Sequence, residues 1–543
     1  MKREFFIVGI IMVSLFCLAS AIFAADGFAE GVTGGAGGAT VIASDAATFN
    51  SYVESYSTYI VEVSGTIDLG SVGGAVEIRS NKTIRGINSS STIIGRLRFQ
   101  DDASNIIIER LNITNPYAGS AYDGISVKDR INNVFITHCT IYDCGDGCID
   151  ITEASDYVTV SWCKFYYNNP APDEAHRFVN LIGAGDTAYG DRGKLHVTFH
   201  HNWWSTRCHE RMPRVRFGQV HVYNNYYNCT GNNYCIRPAV EAQLLVENNY
   251  FDHIDEPIDE KETGALVEAH DNIFNSCTHV YGLGGDDVFT PPYSYTPDDA
   301  NDIPSLVQLG AGADGVDNPT LPPAGMGKIL RQWWTGISGS LVSDLTSNPN
   351  YPDNPTGSEK INYLLGSFNW GNSYGTRIRG YLHPPTDGSY TFWIASDECS
   401  ELWLSTDGNP ANASKIAYVS GSTLLYEWSK YPSQQSTPIY LNAGQKYYIE
   451  VLHKENTDSD NVEVAWQGPG FSQEVIPGIY LSTWFIGLYG DFTGDDIVDM
   501  NDLPEFVESW LQDGCIETAE LDLNGDCIIN FYEFSALAQN WLE

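Results

Sequence analysis

The stretches that decide the fold are FHHNWW (residues 199–204), VYNNYY (222–227) and VENNYF (246–251), which repeat one pattern at a nearly constant spacing. Each ends on a large residue, and six β-type runs can be aligned on that position, which holds Ile141, Phe165, Trp204, Tyr227, Phe251 and Phe274. The spacings are 24, 39, 23, 24 and 23 residues, so one coil carries an insertion. A repeat of this period predicts a solenoid in which each coil packs only on its neighbours, a parallel β-helix.

The position two residues before each of these large residues supports stacked coils. It is Asn in four consecutive repeats and Cys in the two before them: Cys139, Cys163, Asn202, Asn225, Asn249 and Asn272. Side-chain amides in register can bond from coil to coil at the strand spacing of ~4.8 Å, and the two cysteines would then lie within Cα range for a disulfide. A β-sandwich with irregular turns would not keep Asn in one phase, so the parallel β-helix is the prediction.

Length and charge bound the rest of the molecule. At about 100–200 residues per domain, 543 residues predict about three domains. The formal net charge is −40, which argues against nucleic acid or an anionic membrane surface as a partner. Lys2 and Arg3 precede an apolar run over residues 5–19 and then small residues, as in a signal peptide, and no later apolar run approaches transmembrane length. We therefore expect a secreted, extracellular protein.

Composition divides the chain into segments. We expect a signal peptide over 1–25, the β-helix over 26–318, a linker over 319–326, an aromatic-rich β region over 327–482 and an acidic module over 483–543. Residues 486–543 hold 14 Asp or Glu and no Lys or Arg, so much of the acidity lies in the last module.

Two groups of charged residues in the β-helix are candidates for a site. Between residues 192 and 216 the sequence has six basic residues, which either form a solvated, ion-paired surface or bind a polyanion, since Arg grips carboxylates in bidentate fashion. Asp146 and Asp150 lie four residues apart, one coil beyond Asp123. Stacking would bring the three carboxylates together, where they either sit on solvated turns or share a hard cation such as Ca²⁺.

At this point the sequence resembles the pectate lyases of the first polysaccharide-lyase family, through most of residues 26–318. The motifs that carry the resemblance are residues 27–38, 63–67, 80–84, 146–151, 197–202 and 211–218, the last reading RMPRVRFG. The resemblance implies a right-handed parallel β-helix. It also implies that Arg211 is the catalytic base, that Arg216 clamps a substrate carboxylate, and that Asp123, Asp146 and Asp150 bind Ca²⁺.

The family also has a substrate-binding lysine just before Leu181. In strict register that position is Phe178, and Arg177 is the expected substitute. The implied activity is calcium-assisted β-elimination of α-1,4-linked polygalacturonate, with removal of the C5 proton and release of 4,5-unsaturated oligogalacturonides. Free guanidinium has a pKa of about 12.5–13.8, so an arginine base predicts activity that rises into alkaline pH. Two alternatives stay open: a glycoside hydrolase that uses paired carboxylic acids to degrade pectin, and a non-catalytic calcium-dependent polysaccharide-binding protein.

The two remaining modules resemble accessory domains. Residues 327–482 look like the β-sandwich domain named after the anthrax protective antigen, whose sugar-binding members hold calcium with an Asp-Asp pair; here the pair is Asp397-Glu398. Two roles stay open for this region, carbohydrate binding and a structural or spacer role. The C-terminal module resembles a dockerin, a helical module that binds a scaffold protein. Its two loops place oxygen side chains where a 12-residue calcium loop requires them, namely Asp491, Thr493, Asp495, Asp499 and Asp502, and Asp522, Asn524, Asp526, Asn530 and Glu533.

Overall fold

The structure is a computed structural model that describes residues 24–117, 123–259, 262, 264–280, 285–317, 319, 327–366, 368–469 and 471–484. The C-terminal module lies outside these residues, and so do the predicted calcium ligands of its two EF-hand-like loops, Asp491 to Glu533. The signal peptide up to residue 23 and nearly all of the expected linker also lie outside them. Within the described ranges, no helix is long and apolar enough to cross a membrane.

The first region is a solenoid of short strands with two helices, α1 (Ala46–Val53) and α2 (Ile303–Gly310). Its strands in chain order are β1 (Ala39–Ala43), β2 (Tyr59–Val63), β3 (Thr66–Asp68), β4 (Ala75–Ile78), β5 (Lys82–Gly86), β6 (Thr92–Ile94), β7 (Arg96–Phe99), β8 (Ser104–Glu109), β9 (Asn112–Thr114), β10 (Ile125–Val127), β11 (Asn132–Thr137), β12 (Thr140–Tyr142), β13 (Gly147–Ile151), β14 (Asp156–Ser161), β15 (Lys164–Tyr166), β16 (Phe178–Ile182), β17 (His196–His200), β18 (Trp203–Trp204), β19 (Arg214–Val215), β20 (Gln219–Tyr223), β21 (Tyr226–Tyr227), β22 (Arg237–Pro238), β23 (Gln243–Glu247), β24 (Tyr250–Asp252), β25 (Leu266–His270) and β26 (Ile273–Asn275).

Parallel pairing assembles these strands into three sheets, each of which takes one strand from each successive coil. Sheet 1 has the order β1-β2-β5-β8-β11-β14-β17-β20-β23-β25, sheet 2 the order β4-β7-β10-β13-β16-β19-β22, and sheet 3 the order β3-β6-β9-β12-β15-β18-β21-β24-β26. The predicted parallel β-helix is confirmed. The long coil between Phe165 and Trp204 is explained by the two extended loops that flank β16.

The six aligned large residues form one inward column of sheet 3. They pair in register along the sheet, and the rings of Trp204, Tyr227 and Phe251 stack with centroids 4.6 and 4.4 Å apart. Stacked rings of this kind contribute about 0.5–1.5 kcal/mol per pair beyond their burial. The repeat read from the sequence is therefore the core of the solenoid.

The asparagine ladder is also present. The side-chain amide of Asn202 donates to Asn225, that of Asn225 to Asn249 and that of Asn249 to Asn272, at 3.0, 2.9 and 2.9 Å. Cys139 and Cys163 do not form the disulfide that their predicted spacing allowed. Both thiols are free, and each donates to backbone carbonyls, for example Cys163 Sγ to the oxygen of Ser161 at 3.3 Å.

The second region is built from antiparallel strands and one helix, α3 (Val342–Thr346). Its strands are β27 (Ile329–Thr335), β28 (Gly357–Ile361), β29 (Tyr374–Leu382), β30 (Gly388–Asp397), β31 (Cys399–Leu404), β32 (Ser414–Val419), β33 (Ile439–Leu441), β34 (Tyr447–Glu455), β35 (Asn461–Gly468), β36 (Phe471–Val475) and β37 (Leu481–Thr483). One sheet has the order β28-β27-β29-β34-β31-β32 with β37 on β29, and the other the order β33-β30-β35-β36. Because the two sheets share one hydrophobic core, the predicted antiparallel β architecture is confirmed.

The second region packs on the outward face of sheet 3. Trp203, Tyr226 and Tyr250 point away from the solenoid core and are covered by helix α2 together with Tyr363 and Tyr426. Further along the same face, Lys164 Nζ lies 2.8 Å from Glu474 Oε2 of β36. The second region therefore covers sheet 3, whereas the predicted site residues lie on sheet 2.

Candidate active site

The predicted site residues lie on or beside one outward column of sheet 2. Strand pairing places its members in register from coil to coil: Glu77, Arg98, Ser126, Asp150, Leu181, Arg214 and Arg237. Alternate residues such as Leu97, Ile149 and Val215 point into the core, because successive residues of a strand face opposite sides. We call this set of outward residues the charged column. Asp150 lies on a middle coil of the column, Arg214 and Arg237 lie at its C-terminal end, and Glu77 and Arg98 form an ion pair at its N-terminal end.

Asp123 and Asp150 form the acidic part together with Asp146. Asp123 Oδ2 accepts a hydrogen bond from Ser126 Oγ at 2.7 Å. Burial raises the pKa of Asp123, and the charge of Asp146 raises it further. Burial likewise raises the pKa of Asp150 well above its usual range, with the charges of Asp123 and Asp146 adding to the rise and that of Arg211 opposing it. The three carboxylates are therefore electrostatic neighbours, as stacking of the coils predicted.

Gly147 shows how closely two of these carboxylates approach. A Cβ atom at this position would lie 2.8 Å from Asp150 Oδ1 and 3.8 Å from Asp123 Oδ1. A side chain at this position would therefore displace the Asp150 carboxylate from its present place and would touch that of Asp123.

Arg211 lies beside this acidic part. Its backbone has φ of +63°, in the left-handed region that costs a non-glycine residue on the order of 1 kcal/mol, and its carbonyl accepts from the backbone N–H of Asn180 at 2.6 Å. The guanidinium carbon lies 4.0 Å from the ring centre of Phe178. Within the part of the chain that the structure describes, Arg211 Nε is buried and has no hydrogen-bond partner. The left-handed conformation recurs at other turns of the solenoid, such as Asn224 and Asn248, so what makes Arg211 a candidate functional group is its place beside Asp150.

Arg216 is held by a residue that the sequence did not single out. Its Nε donates to Asp186 Oδ1 at 2.5 Å and its Nη1 donates to the carbonyl of Gly183 at 3.1 Å. Asp186 belongs to the loop after β16, and its side chain is 58% exposed whereas that of Arg216 is 10% exposed. The predicted carboxylate clamp thus already binds a carboxylate of the protein itself.

Arg177 and Phe178, the two residues considered for the family's lysine position, have different surroundings in the structure. Arg177 Nη1 donates to the carbonyl of Arg207 at 3.2 Å, and Arg177 Nε lies 3.5 Å from Glu174 Oε2, whereas Phe178 packs under Arg211. In the pairing of β13 with β16, Phe178 lies opposite Gly147. A substrate-binding role for Arg177 stays a prediction, and Phe178 is the residue that contacts the predicted base.

Tyr234 is a further member of the site that sequence reasoning missed. The guanidinium carbon of Arg237 lies 3.6 Å from its ring centre. Burial raises the pKa of Tyr234 to about 12, with Glu210 adding to the rise and Arg237, Arg214 and Arg211 opposing it. Its hydroxyl is buried without a partner among the described residues. The sequence offers no motif at this position, so only the stacking of coils reveals it.

The acidic part offers only hard oxygen ligands, which suits Ca²⁺ better than a soft metal. Asp123 Oδ1 is buried and lacks a hydrogen-bond partner in the described part of the chain, which leaves it free to bind a cation. Within those same residues, however, no three His, Cys, Asp or Glu side chains lie so that they could hold a metal ion. The oxygen donors of Asp123, Asp146 and Asp150 thus suit calcium in their chemistry but do not form a complete three-carboxylate site, and calcium itself stays a prediction.

A second acidic cluster lies in the second region, around the predicted pair Asp397 and Glu398. Burial raises the pKa of Glu455 to about 8, and the charges of Glu398, Asp460 and Asp397 add to this rise. Glu455 is fully buried, and both of its carboxylate oxygens lack partners within the described ranges. The structure thus brings additional carboxylates, Glu455 and Asp460, to the pair that the sequence indicated.

Comparison with known proteins gives separate matches in the solenoid and in the second region. A family model described as pectate lyase matches residues 4–296, and a PA14 domain model matches residues 366–478. The chain is 35% identical over 207 residues to a pectate trisaccharide-lyase of Thermotoga maritima, a match that covers 37% of this chain and 53% of that protein. It is also 33% identical over 274 residues to a probable pectate lyase A of Neosartorya fischeri, covering 49% of this chain and 80% of that protein.

Among solved structures, the chain is similar to a pectate lyase from Bacillus sp. N165 in complex with trigalacturonate. The identity is 26%, the match covers 54% of this chain and all of that one, and the TM-score is 0.48. The chain spans about half the length of the Thermotoga proteins that it matches, 54% and 53% of them. Because the family model covers more than half of the chain, from residue 4 to 296, this protein belongs to the pectate lyase family.

Proposed function

We propose that this protein is a secreted, calcium-dependent pectate lyase that cleaves α-1,4-linked polygalacturonate by β-elimination. The observation that carries the proposal is the charged column, where the charge of Arg211 acts on Asp150 and where Arg214 and Arg237 lie in register on successive coils. A run of arginines in a chain of net charge −40 has a clear use in binding the repeated carboxylates of a polyanion. Family membership adds the reaction class.

The chain's own residues would bind and orient the substrate. The guanidinium groups of Arg216 and Arg214 are both partly engaged by acidic side chains, Asp186 and Glu262 respectively. Substrate carboxylates would compete with these acidic partners for the same N–H groups. Phe178 supports the guanidinium of Arg211 from below and so limits its movement.

Arg211 in its neutral form would accept the C5 proton on a guanidine nitrogen. The electrons of the C5–H bond form the C4–C5 double bond, and the C4–O4 bond breaks with its electrons going to the leaving oxygen, which takes a proton from water. Asp123, Asp146 and Asp150 would hold Ca²⁺, which supplies positive charge that stabilises the carbanion next to the substrate carboxylate. The product is a 4,5-unsaturated sugar at the new non-reducing end.

The test is the chemistry of the product. With polygalacturonate as substrate, we expect ultraviolet absorbance from the C4–C5 double bond to rise in Ca²⁺ and to stop in EGTA. New reducing ends without absorbance would show a glycoside hydrolase instead. Binding of polygalacturonate without any cleavage would show the non-catalytic calcium-dependent binding protein.

We also propose roles for the two other modules. The carboxylate cluster around Asp397 and Glu455 supports a cation-dependent carbohydrate-binding role for the second region, because unpartnered buried carboxylates take hard cations. The duplicated calcium-type loops support a dockerin-like C-terminal module that binds a scaffold protein. Pull-down of polygalacturonate by a Glu455→Gln variant tests the role of the second region. Calcium titration of a variant that ends at residue 484 tests the C-terminal module.

A further inference from the structure

A cavity of about 180 Å³ lies between the solenoid and the second region. Residues from both contribute to its walls: Lys164, Tyr166 and Arg207 come from the solenoid, and Trp428, Phe471 and Gln473 come from the second region. When this volume is divided by the volume that one water molecule needs in such a cavity, it holds about a dozen non-hydrogen atoms. That is the size of one hexose ring with its hydroxyl groups. The cavity lies on sheet 3 and is separate from the charged column on sheet 2.

The outward column of sheet 3 explains why a cavity forms here. Its register runs through Asn112, Thr140, Lys164, Trp203, Tyr226 and Tyr250. The aromatic half, from Trp203 onward, is packed against helix α2 and the second region. The polar half, from Asn112 to Lys164, borders the cavity instead. The cavity therefore begins where the column changes from aromatic to polar.

The charges in the wall balance each other. The charged lining groups, within the described residues, are Lys164, Arg207, Asp314 and Glu474. Lys164 is fixed on Glu474 at 2.8 Å, and Arg207 Nη2 is fixed on Glu174 at 2.5 Å. Two cations face two carboxylates in the wall, so the cavity favours a neutral ligand over an anion.

The neutral groups supply what a sugar needs. Tyr166, Trp428 and Phe471 offer aromatic surface for the C–H groups of a sugar ring. Arg207 Nε and Gln473 Nε2 are buried nitrogens with no hydrogen-bond partner in the part of the chain that the structure describes. Buried N–H groups without acceptors are costly, and a small rotation of either side chain into the cavity would let hydroxyl or ring oxygens of a ligand satisfy them.

From these observations we propose that the cavity is a binding site for one neutral sugar ring, distinct from the lyase site and independent of any cation. Its walls come from both regions, so the assembled chain is needed to form it. The proposal does not depend on the activity assigned to the charged column.

The test uses saturation-transfer NMR on the full chain in EGTA, with D-galactose, D-glucose, L-arabinose, L-rhamnose and D-xylose as neutral probes and D-galacturonate as the charged one. EGTA removes the cations that the two acidic clusters would bind, and the lyase has no bond to cleave in a monosaccharide. We expect at least one neutral probe to bind with a Kd on the order of 1 mM. Replacing Gln473 with Leu should weaken it about fivefold to tenfold, as expected for one lost hydrogen bond.

The matched control is Gln445→Leu, an exposed glutamine outside the cavity, which should leave binding unchanged. Trp428→Ala is a second variant in the wall and should also weaken binding. The proposal is wrong if none of the neutral probes binds, if both wall variants bind as tightly as the unaltered protein, or if only D-galacturonate binds. Binding that appears only after calcium is restored would also overturn it.

Discussion

Sheets 2 and 3 belong to the same solenoid, yet their outward columns carry opposite kinds of side chain. Sheet 2 presents Asp150, Arg214 and Arg237, whereas sheet 3 presents Trp203 and Tyr226 at the corresponding outward positions. The aromatic residues are covered by the second region, whereas Arg214 and Arg237 stay partly exposed in the part of the chain that the structure describes. The comparison teaches that packing sets the inward positions of both sheets, while the outward positions are free to become either a site or an interface.

The largest expected effect comes from removing the predicted base on sheet 2. Arg211→Ala should lower kcat for β-elimination by about 10²–10⁴-fold, the contribution typical of a general base, and Arg211→Lys should restore little at neutral pH. The measurement is the initial rate of absorbance increase with polygalacturonate and Ca²⁺. Arg130→Ala is the matched control, since Arg130 pairs with Asp102 at the surface, outside the basic group of residues 192–216, and its side chain is 55% exposed. A variant at Arg211 with normal kcat would remove it from catalysis.

On sheet 3, the next largest effect should be on stability and not on rate. Trp203 is 2% exposed, and its Nε1 donates to Asn228 Oδ1 at 2.8 Å. Trp203→Ala should lower the free energy of unfolding by about 3–5 kcal/mol, because a large buried ring leaves a cavity. Arg214→Ala on sheet 2 should cost less than about 1 kcal/mol, since it loses one partly exposed ion pair. Urea unfolding measures both, and equal losses would contradict the distinction between interface and site.

The charged column should also make stability depend on pH. Because the pKa of Asp150 is raised in the folded protein, the folded state keeps a proton that the unfolded chain releases above about pH 4. The free energy of unfolding should therefore fall as pH rises from about 4 toward the raised value, by at most about 1.4 kcal/mol per pH unit for this proton. Asp150→Asn should flatten the slope when unfolding is measured in EGTA. If the free energy of unfolding of the variant falls with pH as steeply as that of the unaltered protein, groups other than Asp150 cause the pH dependence.

The smallest expected effect concerns Asp186, the internal partner of Arg216. Asp186→Asn should lower KM for polygalacturonate about twofold to fivefold with little change in kcat, because a carboxylate that competes with the substrate is removed. Asp353→Asn, an exposed change of the same charge in the second region, is the control for net charge. An increase in KM would instead show that Asp186 positions Arg216 for the substrate.

Much of the solenoid could be predicted because its repeat is local. Trp204, Tyr227 and Asn225 fall in phase in the sequence, and the structure pairs them across adjacent coils. The antiparallel second region could be read from alternation in the same way. That Cys139 and Cys163 stay unbridged could not be predicted from their spacing, which allowed a disulfide. Both thiols instead donate to backbone carbonyls.

The site could be predicted only in part. Asp123, Asp150 and Arg211 were identified from motifs, and the structure brings them into one electrostatic group. Asp186 and Tyr234 were missed because they lie in loops without motif character and reach the site only through the stacking of coils. The junction cavity was not predictable either, because its walls come from residues more than 250 positions apart, such as Arg207 and Gln473.

The asparagine ladder has a consequence for how the length of this solenoid can change. The two inner members, Asn225 and Asn249, each accept from the Asn of the previous coil and donate to that of the next, so these rungs are interchangeable. At the end of the ladder, the amide of Asn272 donates to the backbone carbonyls of Val246 and His270. Deleting a whole coil of 23 or 24 residues between equivalent positions would leave each remaining Asn facing another Asn, whereas deleting a few residues would break the chain of amides. The solenoid can therefore grow or shrink in whole turns, and the ladder defines the size of one step.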